Sequence, residues 1–597
     1  MNVRSPRPTQ ALLPLLAALV AAGGAQAQSQ PPAPGAPDAE TVVAQVQRRP
    51  GPSQPIPAPP EPPVDPTAVP AAPPTAFADD FIPVPDRWRI IENLGVNERW
   101  YDPYNQNTLK GDRPIFGEDW FINLSAISDS VFEPRSTPVP VGIQSASPGS
   151  NDVFGDTEQV FASQTAILSA SLIKGNTAFK PQDLEFRLTL AYNYNYAWAQ
   201  EDRFLNANPL DGHTRTDDFL GVQEAFIDYH IRNVSDRYDF DSVRVGIQPF
   251  SSDFRGFLFQ DNELGVRFFG NRENNLYQYN IAWFRMIEKD TNSGLNDLGE
   301  DLRNNDTFVF NLYRQDFPVI GMTSQATVLY NRSRDNEITD KNGFPARPEQ
   351  FGVDELREYD VVYPGLNFDG RLGRMNLTAS FYGALGTNKN SALSGEDTNV
   401  RAFFAAAEPS IDFDWVRLKL SALYASGDSD PYDGTDEGFD AIFENPQFAG
   451  ADTSYFIRQA VPLIGGGFVA LSGRNGVLPS LRSSKEQGQS NFTNPGITLL
   501  GTGADFDVLP ELRFSVNGNY LWFNETEVLE AVRQQQDIDR AIGFDLSAAM
   551  IYRPFATQNV VFRLSGATLL PGEGFKQLYE TDDDFFYSVL ANLVLTY

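Results

Sequence analysis

Residues 184–198 read LEFRLTLAYNYNYAW. Leu184, Phe186, Leu188, Leu190, Tyr192, Tyr194, Tyr196 and Trp198 fall on one parity, and Glu185, Arg187, Thr189, Asn193 and Asn195 on the other. Successive side chains of a strand point to opposite faces, so alternation held over the whole stretch predicts one strand with an apolar and a polar face. It is longer than the strands of an average sandwich. The apolar face becomes aromatic towards Trp198, as expected where lipid-facing wall passes from hydrocarbon to headgroups.

The same period recurs along the chain. Leu512, Phe514, Val516, Tyr520 and Trp522 oppose Arg513, Ser515, Asn517 and Asn519, while Val416, Leu418, Leu420 and Tyr424 oppose Arg417, Lys419 and Ser421. Short connections such as 175–182, 272–275, 370–373 and 509–510 alternate with long acidic ones at 201–217, 288–304, 333–358, 427–494 and 524–540. Short turns on one side and long loops on the other mark a transmembrane antiparallel β-barrel, and the pattern predicts about 16–18 strands, enough to enclose an aqueous lumen. A soluble propeller or set of sandwiches would also alternate, with the apolar face as its core, but no blade-length repeat is visible.

The last strand carries Tyr587, Val589, Ala591, Leu593, Leu595 and Tyr597 on one face. It resembles the C-terminal signature of bacterial outer-membrane barrels, a terminal aromatic preceded by apolar residues at every second position. Tyr597 stands where that family usually has Phe. The resemblance implies a porin-like outer-membrane protein whose last strand is read by the barrel-assembly machinery, with outer-membrane lipid and lipopolysaccharide as further partners.

The other end of the chain fits export. Arg4 and Arg7, the apolar run 11–22 and the small-residue site Ala25-Gln26-Ala27 predict a signal peptide over residues 1–27. Residues 28–78 are dominated by Pro and Ala and predict a disordered periplasmic arm, serving as a spacer or as a docking segment for a periplasmic partner. Within it, Glu40-Thr41-Val42-Val43 opens an island to residue 50 that resembles the TonB box of energised outer-membrane receptors. The resemblance implies a partner that adds Glu40, Thr41, Val42 and Val43 to a sheet edge. The plain alternative is a β-prone island in a linker, and the globular plug that follows the box in that family has no room here. Residues 79–117 hold Trp88, Trp100, Tyr101 and Tyr104, and predict a small periplasmic cap or plug that buries these rings, with the barrel over 118–597.

Composition narrows the chemistry. The 597 residues carry 46 Lys and Arg against 78 Asp and Glu, a net charge of −32, with two His and no Cys. Mean hydropathy is −0.33. An acidic chain repels phosphate backbones, which argues against nucleic acid. No Cys and two His exclude disulfides, thiolate metal sites and three-His metal sites. No catalytic motif is present, so the sequence predicts no enzyme, no catalytic residue, no cofactor and no metal centre. His213 and His230 lack a neighbouring nucleophile. The loop 427–440, GDSDPYDGTDEGFD, is rich in oxygen ligands, but Asp428, Asp430 and Asp433 depart from the calcium-loop spacing.

The expected site is the lumen itself. Arg187, Arg244, Arg374, Arg417, Arg513 and Arg563 each follow a short turn on the polar parity, joined by Asn193, Asn195, Lys419, Asn517 and Asn519 as pore-lining candidates. A ring of arginines would attract anions; cross-strand pairing with acids such as Glu185 would instead cancel the field. The expected activity is passage of small hydrophilic solutes. The alternatives are a TonB-coupled transporter and a closed structural barrel whose loop 427–494 binds a surface partner.

Overall fold

A computed structural model describes residues 94–95, 98–104, 107–140, 154–175, 181–235, 239–461, 463 and 474–597. The signal peptide, the Pro-rich arm with Glu40, Thr41, Val42 and Val43, and the first part of the expected cap lie outside these residues.

The chain closes into an 18-stranded antiparallel barrel. Its strands are β1 (Trp120–Ser136), β2 (Glu158–Lys174), β3 (Leu184–Ala199), β4 (Thr214–Asn233), β5 (Phe240–Ser251), β6 (Gln260–Arg272), β7 (Tyr277–Arg285), β8 (Asn305–Arg314) and β9 (Met322–Ser333). They continue as β10 (Glu358–Leu372), β11 (Met375–Lys389), β12 (Thr398–Phe413), β13 (Val416–Ala425), β14 (Ile497–Leu509), β15 (Leu512–Trp522), β16 (Ala541–Tyr552), β17 (Val560–Pro571) and β18 (Phe586–Thr596). Each strand pairs with the next, and β18 pairs with β1, Thr596 opposite Ile127 and Ala591 opposite Phe132. Closure leaves no open edge to be satisfied inside a bilayer.

Burial decides between barrel and soluble sheet protein. On β3 the apolar residues face outward, with Phe186 39% and Tyr194 48% exposed, whereas Glu185 is 3% and Asn195 0% exposed. A soluble sandwich or propeller would bury the opposite face. Leu418, Leu420 and Tyr424 of β13, Phe544 and Leu546 of β16, and Leu593 and Leu595 of β18 repeat the exposure. The polar parity therefore lines the interior.

The seam shows how the chain ends are joined. The Tyr597 amide donates to the Ala126 carbonyl at 2.8 Å. A lead-in strand, Lys110–Phe116, pairs with β1 beside it, so the sheet begins upstream of residue 118. Asn107 Nδ2 donates to Tyr597 Oη at 2.9 Å, and Lys110 Nζ lies 4.3 Å from the centre of that ring. The expected burial of aromatics here is corrected: Trp100, Tyr101 and Tyr104 stand exposed at the short-turn end.

Candidate functional site: the lumen

The interior is built from the inward parity of the strands and from loops that turn back into it. Asn193 donates to Ser163 Oγ at 3.0 Å and Thr165 Oγ1 at 2.8 Å, and Asn195 donates to Asn193 Oδ1 at 2.9 Å, a polar ladder across β2 and β3. Asn517 and Asn519 are likewise buried inside.

The arginines are paired. Arg187 Nη2 lies 2.8 Å from Glu185, Arg244 Nη2 2.7 Å from Asp228, Arg417 Nε 2.6 Å from Asp412 and Arg513 Nε 2.5 Å from Asp507. Arg563 Nη1 reaches Asp452 at 3.1 Å and Lys419 Nζ reaches Asp505 at 3.0 Å. Arg374 is a correction: Leu372 pairs with Met375, so Arg374 occupies the hairpin turn, exposed and outside the strands. Gly373, at φ +64°, supplies the left-handed residue such a tight turn requires. Position along the strand was legible for these arginines, and so was Glu185 as a pairing acid, although it pairs along β3 rather than across strands; the partners Asp228, Asp412, Asp507 and Asp452 come from neighbouring strands or the loop and were not.

The loop 426–496, expected outside, turns into the barrel. Its short helix α1 (Tyr455–Gln459) is anchored on both sides. On one side Asp545 of β16 accepts from the Ser454 hydroxyl and from the amides of Tyr455 at 2.9 Å and Phe456 at 3.4 Å. On the other, Glu133 of β1 accepts from Arg458 at 3.1 Å, Gln459 at 2.6 Å and Ser588 at 2.6 Å. Tyr455 Oη donates to the Ser136 carbonyl at 2.6 Å, and the Ala449 carbonyl accepts from Asn519 at 3.0 Å. Phe439, Ile442, Phe443, Phe448 and Phe456 pack with wall residues Phe250, Phe284 and Phe404, and with Phe259 of the β5–β6 connection, in one apolar cluster inside the barrel. The loop's many Phe are the signal that sequence reading passed over: a solvated acidic loop has no use for them.

The acidic stretch 427–440 folds for its own backbone rather than for a cation. Asp428 accepts from the Asp430 amide, Asp430 from the Tyr432 amide and Asp433 from the Thr435 amide. Asp436 is taken up by Asn388 and Thr398, at 2.8 and 2.7 Å. Among the described residues no group of three or more acidic or His side chains is placed to hold a metal. Burial pushes the Asp428 carboxyl up to about 8, aided by Asp436, Asp433 and Glu437.

Cavities remain around the loop among the described residues. One of about 410 Å³ lies between the β1–β3 wall and the loop, lined by Asp129, Glu133, Asn193, Arg458, Arg474 and Arg563 among others. A second, of about 390 Å³, is lined by Asp261, Arg267, Tyr313 and again Arg474. A third, of about 240 Å³, includes Lys419, Asn517, Asp452 and Arg563. Arg474 is thus a common wall of the first two, and the Asp452–Arg563 pair of the first and third. Arg474 is held by Asp261 at 3.2 Å, by the Glu444 carbonyl at 2.8 Å and over the Phe443 ring at 3.5 Å.

No family model and no curated protein matches the chain. Among solved structures it is similar to OccK7 (OpdD) of Pseudomonas aeruginosa, at 10% identity and TM-score 0.44 over 80% of this chain and 98% of that one. OccK9 (OpdG) of the same organism aligns at 12% identity and TM-score 0.44, over 80% and 98%. OccAB1 of Acinetobacter baumannii aligns at 11% and 0.43, over 80% and 96%.

Proposed function

We propose that this protein is an outer-membrane channel for small hydrophilic solutes, constricted by the inward loop 426–496. The observation that carries the reading is the division of faces: around a barrel of 18 strands apolar side chains such as Leu188, Leu420 and Leu546 face outward, while polar and charged side chains face inward beside the apolar seat of the loop. Barrels of that size hold an aqueous channel unless something fills them. Here a loop tied by side-chain hydrogen bonds narrows it. Because the wall arginines are matched by carboxylates, selectivity rests on groups of the constriction, such as Arg474 and the Asp452–Arg563 pair, more than on a free arginine ring. Liposome swelling with neutral sugars and amino acids tests the proposal. Uptake that falls with solute size supports it, and no swelling by liposomes that contain folded protein overturns it.

A further inference from the structure

The β5–β6 connection, residues 252–259, crosses the lumen as a bar. Asp253 is buried and accepts from the amides of Arg255 at 2.9 Å, Gly256 at 2.6 Å, Phe257 at 3.2 Å and Leu258 at 3.2 Å, a satisfied polar network that stiffens the segment. Six strands further round the wall, Thr378 of β11 and Glu408 of β12 each accept from Arg255 at 3.1 Å. The inward loop runs along this bar: the Asn445 amide donates to the Gly256 carbonyl and the Gln447 amide to the Arg255 carbonyl, both at 2.8 Å. Gly256 lets the two backbones meet, since a Cβ there would stand 2.6 Å from the Asn445 carbonyl oxygen.

The bar separates two of the cavities. The one of about 390 Å³ includes Asn445 and follows β5–β8 down to Tyr313, next to last in β8 at the short-turn end. The one of about 240 Å³ includes Arg255 and Gln447 and follows β13–β17 down to Ile551, next to last in β16. Both adjoin the cavity of about 410 Å³, which reaches towards the long-loop end at Arg135 of β1: the first across Arg474, the second across the Asp452–Arg563 pair. Between the two, the β9–β12 sector is filled by Tyr359, Tyr363, Phe404, Phe439 and Phe492, all buried in the apolar cluster. The two walls differ in charge. In the smaller cavity Arg255 pairs with Glu408 at 3.1 Å, Lys419 with Asp505 at 3.0 Å and Arg563 with Asp452 at 3.1 Å. In the larger, Arg267 donates to Asn280 at 2.7 Å and stands in register with Ala282 and Arg244, the latter already holding Asp228; no carboxylate lies within ion-pair distance of Arg267 among the described residues.

We propose that the channel forks: solute that enters the largest cavity leaves by two parallel routes, one past Arg474 along Arg267 and Tyr313, the other past Asp452 and Arg563 along Lys419 and Asn517. The guanidinium of Arg267, without a carboxylate, suits the first route to small anions, and the balanced ion pairs suit the second to neutral polar solutes. The proposal rests on the channel reading above. Because the chain has no Cys, Ser251→Cys and Ser515→Cys each place a single thiol in one route. Tyr313→Cys and Asn517→Cys supply a second site in each route should a serine variant fail to fold. Planar-bilayer recordings compare S251C, S515C and S251C/S515C before and after reaction with a bulky uncharged thiol reagent, with attachment confirmed by mass spectrometry. Labelling either single variant should remove part of its conductance, the larger part in S251C because its cavity is the larger, and labelling the double variant should remove nearly all. In a salt gradient the reversal potential should move towards cations on labelling S251C and towards anions on labelling S515C. Full block by one label, no change from an attached label, or shifts of the same direction from both would each overturn the fork. Silence of the folded wild type would overturn the channel reading itself, and the fork with it.

Discussion

Replacing Asp545 by Ala should free the inward loop while leaving the barrel closed. The carboxylate is buried and accepts from three donors at the start of α1, the Ser454 hydroxyl and the amides of Tyr455 and Phe456. A buried donor left without its acceptor costs about 1–3 kcal/mol. Two well-formed bonds and one long one therefore sum to about 4 kcal/mol, from which relief of the carboxylate's own desolvation removes about 1. A net of about 3 kcal/mol raises the population of the detached loop by roughly two orders of magnitude. The backbone ladder of β16 with β15 and β17 is untouched, so the barrel persists. Adding Glu133→Ala removes the opposite anchor, which takes two further donors of the loop, Arg458 and Gln459, and should make detachment the major state. The assay is single-channel recording. Larger mean conductance and added open-channel noise are expected in D545A, more so in D545A/E133A. A folded double variant with wild-type conductance and noise would refute the claim that these two carboxylates hold the constriction.

Other expectations follow from the same contacts. The Arg417–Asp412 and Arg513–Asp507 pairs are partly exposed, so R417A/R513A should change stability by no more than about 1 kcal/mol per pair, while the freed carboxylates shift reversal potentials towards cations; a shift towards anions would contradict the pairing. R563A opens the wall shared by two cavities and should raise the swelling rate for larger solutes, measured against R417A as a control. Asp428, raised by burial, favours its buried neutral form: the loop's stability should be full below about pH 4 and decline as pH rises through about 8, and D428N should flatten that profile in hydrogen exchange of residues 426–440. Deleting residues 40–50 should leave swelling rates unchanged, whereas an energised transporter would lose uptake in cells.

Much of the barrel was readable because a membrane wall imposes one rule on every strand. Leu184 to Trp198 announces both faces of β3, and the alternation of short and long connections gives strand direction. The terminal strand was legible from its own alternation, but its pairing with β1 and the contacts of Tyr597 with Asn107 and Lys110 depend on opposite ends of the chain meeting. The site was harder. Asn193, Asn195 and most arginines could be assigned to the lumen by parity, but Arg374 fell in a turn because a strand's first residue is set by hairpin geometry rather than by pattern. The loop 426–496 carries no period, so its inward course was hidden. It is fixed by Asp545, Glu133 and a set of Phe contacts that only the closed barrel brings together.

The central claim is a water-filled barrel throttled by its own loop. Reconstitution of the protein in a planar bilayer, beside a variant lacking residues 441–491, tests it most directly. The account predicts small ohmic steps for the wild type and distinctly larger ones for the deletion. Silence from both folded proteins, or identical conductance in the two, would contradict it.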